Sequence, residues 1–312
     1  MLRTRRFLAT PVALRQLALA SLIANAVLVV TGGAVRLTGS GLGCPTWPEC
    51  TAGSYVTTPK MGMHGVIEFG NRTLTLVVGA LALACVAAVL AQPSRRRSLV
   101  RLSTLVLCGI PAQAVIGGLT VLTKLNPWVV ALHFLASIAV IAAAYALWRR
   151  ADEPDGAVRL TVPPPVRGLA WAVTVASVAV LVVGTVVTGS GPHAGDEHAR
   201  RTGLDPGAVA QLHADLVFLL IGLSIGAWYA LRAVGGSARV AGVLIAVELG
   251  QGVIGFVQYF THLPILAVAL HMAGSCAVWW ATLALLYATR TRDVPVAEPG
   301  ALTEPAALAA AR

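Results

Sequence analysis

Charged side chains are scarce in this sequence: they make up 12% of the 312 residues, whereas hydrophobic residues make up 57%. The mean hydropathy is +0.78, far above the range of a soluble domain. The scarcity of charge excludes a water-soluble globular protein and indicates a polytopic membrane protein. The length of the chain therefore indicates how many membrane spans it can contain, rather than how many soluble domains.

Acidic residues are fewer still, 13 against 23 basic ones, and the net charge is +10. This excess does not indicate nucleic-acid binding, because the basic residues cluster between apolar runs. If the N-terminus is cytoplasmic, only six basic residues lie outside the cell or within a span, namely Arg36, Lys60, Arg72, Lys124, Arg200 and Arg201. The positive-inside rule then predicts a multi-pass cell-membrane protein, surrounded by lipid, with both termini in the cytoplasm.

Polar residues are few in eight stretches, each long enough to cross a bilayer, for which about 20 mostly apolar residues suffice. The predicted spans are roughly 16–37, 64–91, 99–122, 127–148, 167–189, 207–232, 238–260 and 264–289. The first span follows "MLRTRR" but is too long for the apolar region of a signal peptide, so we expect a retained helix. The segment 293–312 has no spanning length and is expected to be a mobile cytoplasmic tail.

Cysteines number only five. Cys85, Cys108 and Cys276 lie in apolar spans and are expected to be small buried hydrophobes. Cys44 and Cys50 bracket "PTWPE" in the first external loop, where an oxidising compartment favours a disulfide. Free thiols and a metal site are the alternatives, although zinc would need more ligands than His64.

An internal repeat organises the spans. The segment "QAVIGGLTVLTKLNPWVVALHFLAS" from Gln113 matches "QGVIGFVQYFTHLPILAVALHMAGS" from Gln251 without a gap, at an offset of 138 residues. Four spans per unit give both halves the same membrane orientation, so the repeats are parallel. We therefore predict an all-α membrane protein of two tandem four-helix bundles, residues 1–150 and 151–292, related by pseudo-two-fold symmetry.

Three histidines and one asparagine are predicted to lie at the same depth in the membrane. His133, His213, His271 and Asn71 are each about six or seven residues into a span, roughly 10 Å below the outer surface. Ionisable groups inside a membrane are functional candidates, and imidazoles facing each other across a bundle are suited to hold a haem iron. Hydrogen-bonded packing is the alternative for each histidine taken alone. The other histidines considered, His193, His198 and His262, lie in external loops and are expected to be solvated.

Carboxylates and an arginine also lie within spans. Glu68 and Arg72 flank Asn71 in "EFGNR" and are expected to line the interior of the first bundle. Arg72 is expected to pair with Glu68 or with a carboxylate of a ligand, and a self-contained pair at i,i+4 is the alternative. Asp215 and Glu248 are expected to be local hydrogen-bonding residues rather than catalysts.

The chain resembles the haem A synthase family over about residues 15–290. The features that carry the resemblance are the duplicated eight-span plan, "TGGAVRLTGSGLGCPTWPEC", "EFGNR" and the histidines at 133, 213 and 271. The resemblance implies an enzyme that oxidises the C8 methyl of haem O to a formyl group, giving haem A. It also implies haem b as cofactor, haem O synthase and an electron donor as partners, and a homo-oligomer as one expected state.

The resemblance also implies roles for individual residues. His213 and His271 match the axial ligands of haem b in the C-terminal bundle. In the N-terminal bundle, which handles the substrate haem, His133 matches an iron ligand and Glu68 matches the functionally important glutamate. For Arg72, the expected partner is either Glu68 or a propionate of that haem.

One position departs from the family pattern. The family commonly has Glu-x-x-His-Arg, whereas this chain has Asn71 where the histidine would stand, so one of four iron ligands is missing. His64 is a doubtful replacement, because it lies roughly 10 Å farther up the same helix. It is instead expected to hydrogen-bond Glu68, which is four residues away.

Two other functions remain open. A di-haem transmembrane electron carrier would need two similar, fully ligated haems. A transporter would also use parallel repeats, but with broken helices near the midplane.

Overall fold

The computed structural model describes residues 10–94 and 96–294. It contains eight helices long and apolar enough to cross a membrane. They are α1 Pro11–Leu37, α2 Gly62–Ala91, α3 Arg97–Leu122, α4 Pro127–Asp152, α5 Pro164–Ser190, α6 Pro206–Ala233, α7 Ala238–Phe260 and α8 Ile265–Ala288. A 3-10 turn, Pro59–Met61, precedes α2, and the only strands in the described ranges are β1 Val158–Leu160 and β2 Arg290–Arg292. The predicted all-helical fold and its eight spans are confirmed.

Local signals in the sequence start several of these helices. Thr10, Asn126 and Asp205 each accept a hydrogen bond from a backbone N–H in the first turn of α1, α4 and α6. A proline occupies an early position in each of these helices, where its missing N–H is harmless. These caps set the N-terminal ends of α4 and α6, the helices that carry His133 and His213.

The same turn precedes α4 and α8. Lys124 and Leu125 have φ values of 53° and 57°, and His262 and Leu263 have 61° and 60°. Leu125 N–H donates to the carbonyl of Thr120, and Leu263 N–H donates likewise to Gln258, both at 2.7 Å. The repeat seen in the sequence therefore extends to the backbone that leads into each of these helices.

Each set of four consecutive helices closes a ring of contacts: α1–α2–α3–α4 and α5–α6–α7–α8. Between the rings, α1 packs on α8 and α4 packs on α5 and α8. At this junction the indole N–H of Trp279 donates to the carbonyl of Ile138 over 3.2 Å. This pairing is compatible with a two-fold relation, although the symmetry, the division at residue 150 and the membrane orientation stay predictions.

The apolar core has a large cluster in each ring. One is built around Val78, Val106 and Ile141 and continues onto Trp279 of α8. The other surrounds Val173, Leu220 and Leu244 in the second ring. Cys85 and Cys276 are buried as expected, whereas Cys108 is exposed on α3. The expectation of a buried Cys108 was wrong, because its position on α3 turns it away from the neighbouring helices.

A charged and hydrogen-bonded layer ties the two halves together at the ends of α3, α4 and α8. Asp155 accepts from Arg96 and Arg150, both at 2.7 Å. Partial burial alone would raise the pKa of Asp155, but the hydrogen bonds from the two guanidinium groups hold it below its usual value.

The C-terminal segment joins this layer. Strand β1 pairs antiparallel with β2, and Arg159 pairs with Asp293 at 2.7 Å. Asp293 is thus held in place, although we expected the mobile tail to begin there. The remainder of that tail, 295–312, lies outside the described residues.

Candidate functional site

His213 and His271 face each other inside the second ring. His213 lies in the second turn of α6 and His271 in the second turn of α8. Their ring centres are 6.4 Å apart, with 68° between the ring planes. The two imidazoles that the sequence placed at one depth are thus brought together across the bundle.

A glycine stands opposite each imidazole. A Cβ atom added at Gly184 of α5 would lie 3.1 Å from Cε1 of His213, and one at Gly255 of α7 would lie 3.2 Å from Cε1 of His271. In the first ring, a Cβ at Gly117 of α3 would lie 2.9 Å from Cε1 of His133. Because glycine lacks this atom, each ring can lie against the neighbouring helix.

The second ring fits a haem held from both sides. Two bonds of about 2.0 Å from histidine nitrogens to a metal separate those nitrogens by about 4 Å and the ring centres by about 6 Å. The observed 6.4 Å agrees with that geometry. Both Nδ1 atoms are buried, and among the described residues no side chain hydrogen-bonds to them. The donor set of two neutral imidazoles is one that haem iron accepts.

The first ring offers one imidazole and one amide. His133 lies in the second turn of α4. Asn71 of α2 accepts a 2.8 Å hydrogen bond on Oδ1 from the hydroxyl of Thr31 in α1. A Cβ at Gly32 would lie 3.8 Å from Asn71 Nδ2, so a glycine stands opposite this fourth position too. Asn71 as a residue of the substrate haem site stays a prediction.

His64 does not fill that place. It is exposed at the start of α2, and its Nδ1 lies 2.9 Å from the hydroxyl of Ser40. The expected hydrogen bond from His64 to Glu68 was wrong, because the loop brings Ser40 to the imidazole and the backbone of Cys44 to the carboxylate. His64 as a residue of the substrate site stays a prediction.

Glu68, which is buried, and Arg72, which is partly buried, form an ion pair that holds the loop between α1 and α2. One oxygen of Glu68 accepts from Nη2 of Arg72 at 2.6 Å, and the other accepts from the backbone N–H of Cys44 at 2.6 Å. Arg72 also donates to the carbonyls of Cys44, Thr46 and Glu49. The pair at i,i+4 is therefore present, but it is not self-contained. A contact between Arg72 and a haem propionate stays a prediction.

The loop is closed by a disulfide between Cys44 and Cys50, as predicted. Both cysteines are fully buried. The indole of Trp47 lies where a Cβ of Gly118 would stand, so the loop folds onto α3 next to Gly117, the residue facing His133. Sequence reasoning missed this contact, although the two adjacent glycines at 117 and 118 were a signal for a close approach.

Arg36 is a second residue that sequence reasoning missed. From α1 it donates to the carbonyls of His193 at 2.6 Å and Thr188 at 2.8 Å. It therefore ties the first ring to the loop after α5. Arg36 could have been singled out in the sequence, because it is one of the six basic residues predicted to lie outside the cell or within a span.

The other candidate polar residues differ in their surroundings. Asp215 is exposed on α6 and accepts from Gln211 at 2.8 Å, one turn away. Glu248 is buried on α7 and accepts from Ser224 of α6 at 2.8 Å. Both make local hydrogen bonds, as expected. Among the described residues, no group of three or more His, Cys, Asp or Glu side chains is arranged to hold a metal ion.

Comparison with known proteins gives consistent matches. The profile of the family described as "Cytochrome oxidase assembly protein" matches residues 15–195. A protein of Bacillus pumilus named "Heme A synthase" is 33% identical over 131 residues, which cover 40% of this chain and 41% of the relative. One of the same name from Lysinibacillus sphaericus is 30% identical over 181 residues, or 56% of this chain and 57% of the relative. The chain spans about half the length of the curated relatives that it matches.

Proposed function

The chain belongs to the cytochrome oxidase assembly protein family, and from this premise we propose that it is a haem A synthase of the cell membrane. The proposed reaction oxidises the C8 methyl of haem O to a formyl group. The observation that carries the proposal is the facing pair His213 and His271, whose ring centres are 6.4 Å apart. Relatives named "Heme A synthase" support it.

The second ring is the proposed haem b site. His213 and His271 bind the iron, and Gly184 and Gly255 leave room for their rings. The haem groups, when bound, supply the redox chemistry of the reaction. The protein residues hold them in place and keep the surrounding apolar helices packed.

The first ring is the proposed substrate site. His133 binds the iron of haem O from one side, and Asn71 leaves the opposite side without a protein ligand, because a neutral amide is a poor ligand compared with imidazole. The loop closed by Cys44 and Cys50 covers the outer end of this ring. This arrangement orients the substrate while leaving one face of the iron accessible.

Glu68 is the proposed catalytic residue. Its carboxylate accepts hydrogen bonds from Arg72 and from the N–H of Cys44, and these two contacts fix its orientation. We propose that it manages protons at the methyl group or stabilises positive charge that develops there. An electron donor and haem O synthase are the proposed partners.

The experiment is conversion in a host that makes haem O but lacks its own haem A synthase. Extracted pigments are separated by chromatography in cells carrying wild type, His133→Ala or His198→Ala. His198 lies in an outer loop with an 84% exposed side chain, so its replacement is the matched control. We expect haem A with wild type and His198→Ala and almost none with His133→Ala. Haem b as the sole pigment of the purified wild-type protein would instead support a di-haem electron carrier.

A further inference from the structure

Glu248 is a buried carboxyl group for which the proposed reaction has no role. It lies near the middle of α7 and is only 3% exposed. Oε1 accepts the hydrogen bond from Ser224, and Oε2 is buried with no partner among the described residues. A buried carboxyl group without a cation to pair with is costly in its ionised form. Such a group inside a membrane span is a candidate for function.

Glu248 lies on the same face of α7 as Gly255, the glycine that faces the His271 ring. Glu248, Gly252 and Gly255 are spaced by four and three residues, which places them on one helix face. Gly255 stands opposite His271, and a Cβ added at Gly252 would meet no atom within 4 Å. Open space therefore adjoins α7 between the carboxyl group and the imidazole, over about 10 Å along the helix axis.

The first ring lacks this arrangement. At the offset of the repeat, Glu248 and Gly252 correspond to Ile110 and Ala114, whereas Gly255 corresponds to Gly117. Ile110 is part of the apolar cluster of the first ring. The glycine opposite the histidine is thus common to both halves, whereas a carboxyl group at this position of the repeat occurs only in the second ring.

Within residues 10–94 and 96–294, no ionisable group pairs with Glu248. Helix α7 packs against α6 and α8, and Ser224 is the hydrogen-bond partner from α6. The ionisable residues of α6 and α8 are His213, Asp215, Tyr229, Arg232, His271, Cys276 and Tyr287. In the described part of the chain, none of them forms a hydrogen bond or an ion pair with the Glu248 carboxyl group.

We propose that Glu248 is a redox-linked proton acceptor for the iron between His213 and His271. When that iron gains an electron from a one-electron reductant, its charge falls by one, and the carboxylate of Glu248 takes up one proton from water. On reoxidation the electron leaves and the proton is released. The physical reason is that a nearby positive charge favours the ionised carboxylate, and its loss favours the neutral acid. This inference rests on the proposed haem site of the second ring.

The test is the midpoint potential of that haem as a function of pH in the purified full-length protein. In wild type, each pH unit inside the titration interval changes the reduction equilibrium up to tenfold, or about 59 mV for a one-electron couple. Haem carboxylates also titrate, so the decisive quantity is the difference between variants. Glu248→Gln should lose most of the pH dependence. Glu197→Gln, which removes an outer-loop carboxylate with an 86% exposed side chain, should keep it.

Infrared difference spectra give a readout that a structural role would not move. The reduced-minus-oxidised spectrum of wild type should contain the C=O stretch of a newly protonated carboxyl group, and Glu248→Gln should lack it. If Glu248→Gln does not fold, Ser224→Ala takes its place. Loss of the Ser224 hydrogen-bond donor should move the pH interval upward.

The outcomes separate this inference from the proposed function. If Glu248→Gln binds haem and keeps the wild-type pH dependence, or if Ser224→Ala leaves the interval unchanged, Glu248 is not the acceptor. A wild-type preparation without a bis-histidine haem would contradict the haem assignment itself, and this inference with it.

Discussion

The two bundles share a scaffold and differ in where they place polar groups. In the first, the ion pair of Glu68 and Arg72 lies near the start of α2 and is bonded to a disulfide loop. In the second, the buried carboxyl of Glu248 lies near the middle of α7, about 10 Å along the helix axis from the glycine that faces His271. The glycine opposite each histidine is common to both. The two halves therefore share the close approach of a glycine to a histidine ring and differ in the polar groups around it.

The largest expected effect is loss of the paired ligands. His213→Ala or His271→Ala deletes one of two strong axial ligands, so the low-spin haem b should disappear from the purified protein. Absorption spectra with haem extraction measure this, with His198→Ala as the control. An unchanged low-spin spectrum in both variants would refute the assignment of the second bundle.

Removing the carboxylate of the first bundle should affect turnover rather than haem b. Glu68→Gln preserves shape but leaves Arg72 without its partner, and we expect haem A formation to fall at least about tenfold, equivalent to 1.4 kcal/mol or more. The low-spin haem b spectrum should be retained. Near-wild-type conversion in cells would reduce Glu68 to a structural partner of Arg72 and the loop.

Restoring the missing histidine should make the two bundles more alike. Asn71→His is expected to supply a second imidazole to the iron held by His133, shifting it toward six-coordinate low spin and suppressing carbon monoxide binding. His64→Ala should leave the spin state unchanged, since the His64 imidazole bonds Ser40. If His64→Ala turned a low-spin site high-spin, His64 would be the ligand.

The disulfide occurs in only one of the two bundles and should be visible in a thiol count. Denatured protein should show three reactive cysteines before reduction, namely Cys85, Cys108 and Cys276, and five after it. A disulfide closing so short a loop is expected to stabilise the fold by about 2 kcal/mol. Five thiols in an unreduced sample would contradict the pairing.

The smallest effect concerns the layer that joins the bundles. Because the pKa of Asp155 is lowered in the folded protein, its contribution to stability is present above the unfolded value of about 3.9 and is lost as the pH falls below it. The carboxylate is 44% exposed, so we expect Asp155→Asn to cost under about 1 kcal/mol at neutral pH. The difference in melting temperature from wild type should shrink as the solution is acidified. A difference that does not change with pH would argue against the ion pairs.

The sequence predicted most of the scaffold because the signals for it are local. Hydropathy alone located every span within a few residues, since the bilayer sets the length of each apolar run. The repeat and the depth of His213 and His271 predicted that they would meet. The disulfide was predicted because Cys44 and Cys50 close a short loop that is expected to face an oxidising compartment.

What the sequence did not predict depends on contacts between distant segments. Trp47 packs on Gly118, and Arg36 donates to the carbonyl of His193. Both contacts depend on how loops and helices are placed relative to one another, and the periodicity of the sequence does not predict that placement. The predictions of a buried Cys108 and of a hydrogen bond from His64 to Glu68 failed for the same reason. Each was decided by which neighbour the fold brought near.

Carbon monoxide binding by the reduced wild-type protein, with each haem identified by chromatography, tests the central claim most directly. The claim is that one bundle holds iron between two imidazoles and the other holds it with His133 alone. We predict that the haem O or haem A fraction binds carbon monoxide while haem b stays six-coordinate and low spin. Two haems that both exclude carbon monoxide, or a haem b that binds it, would contradict this account.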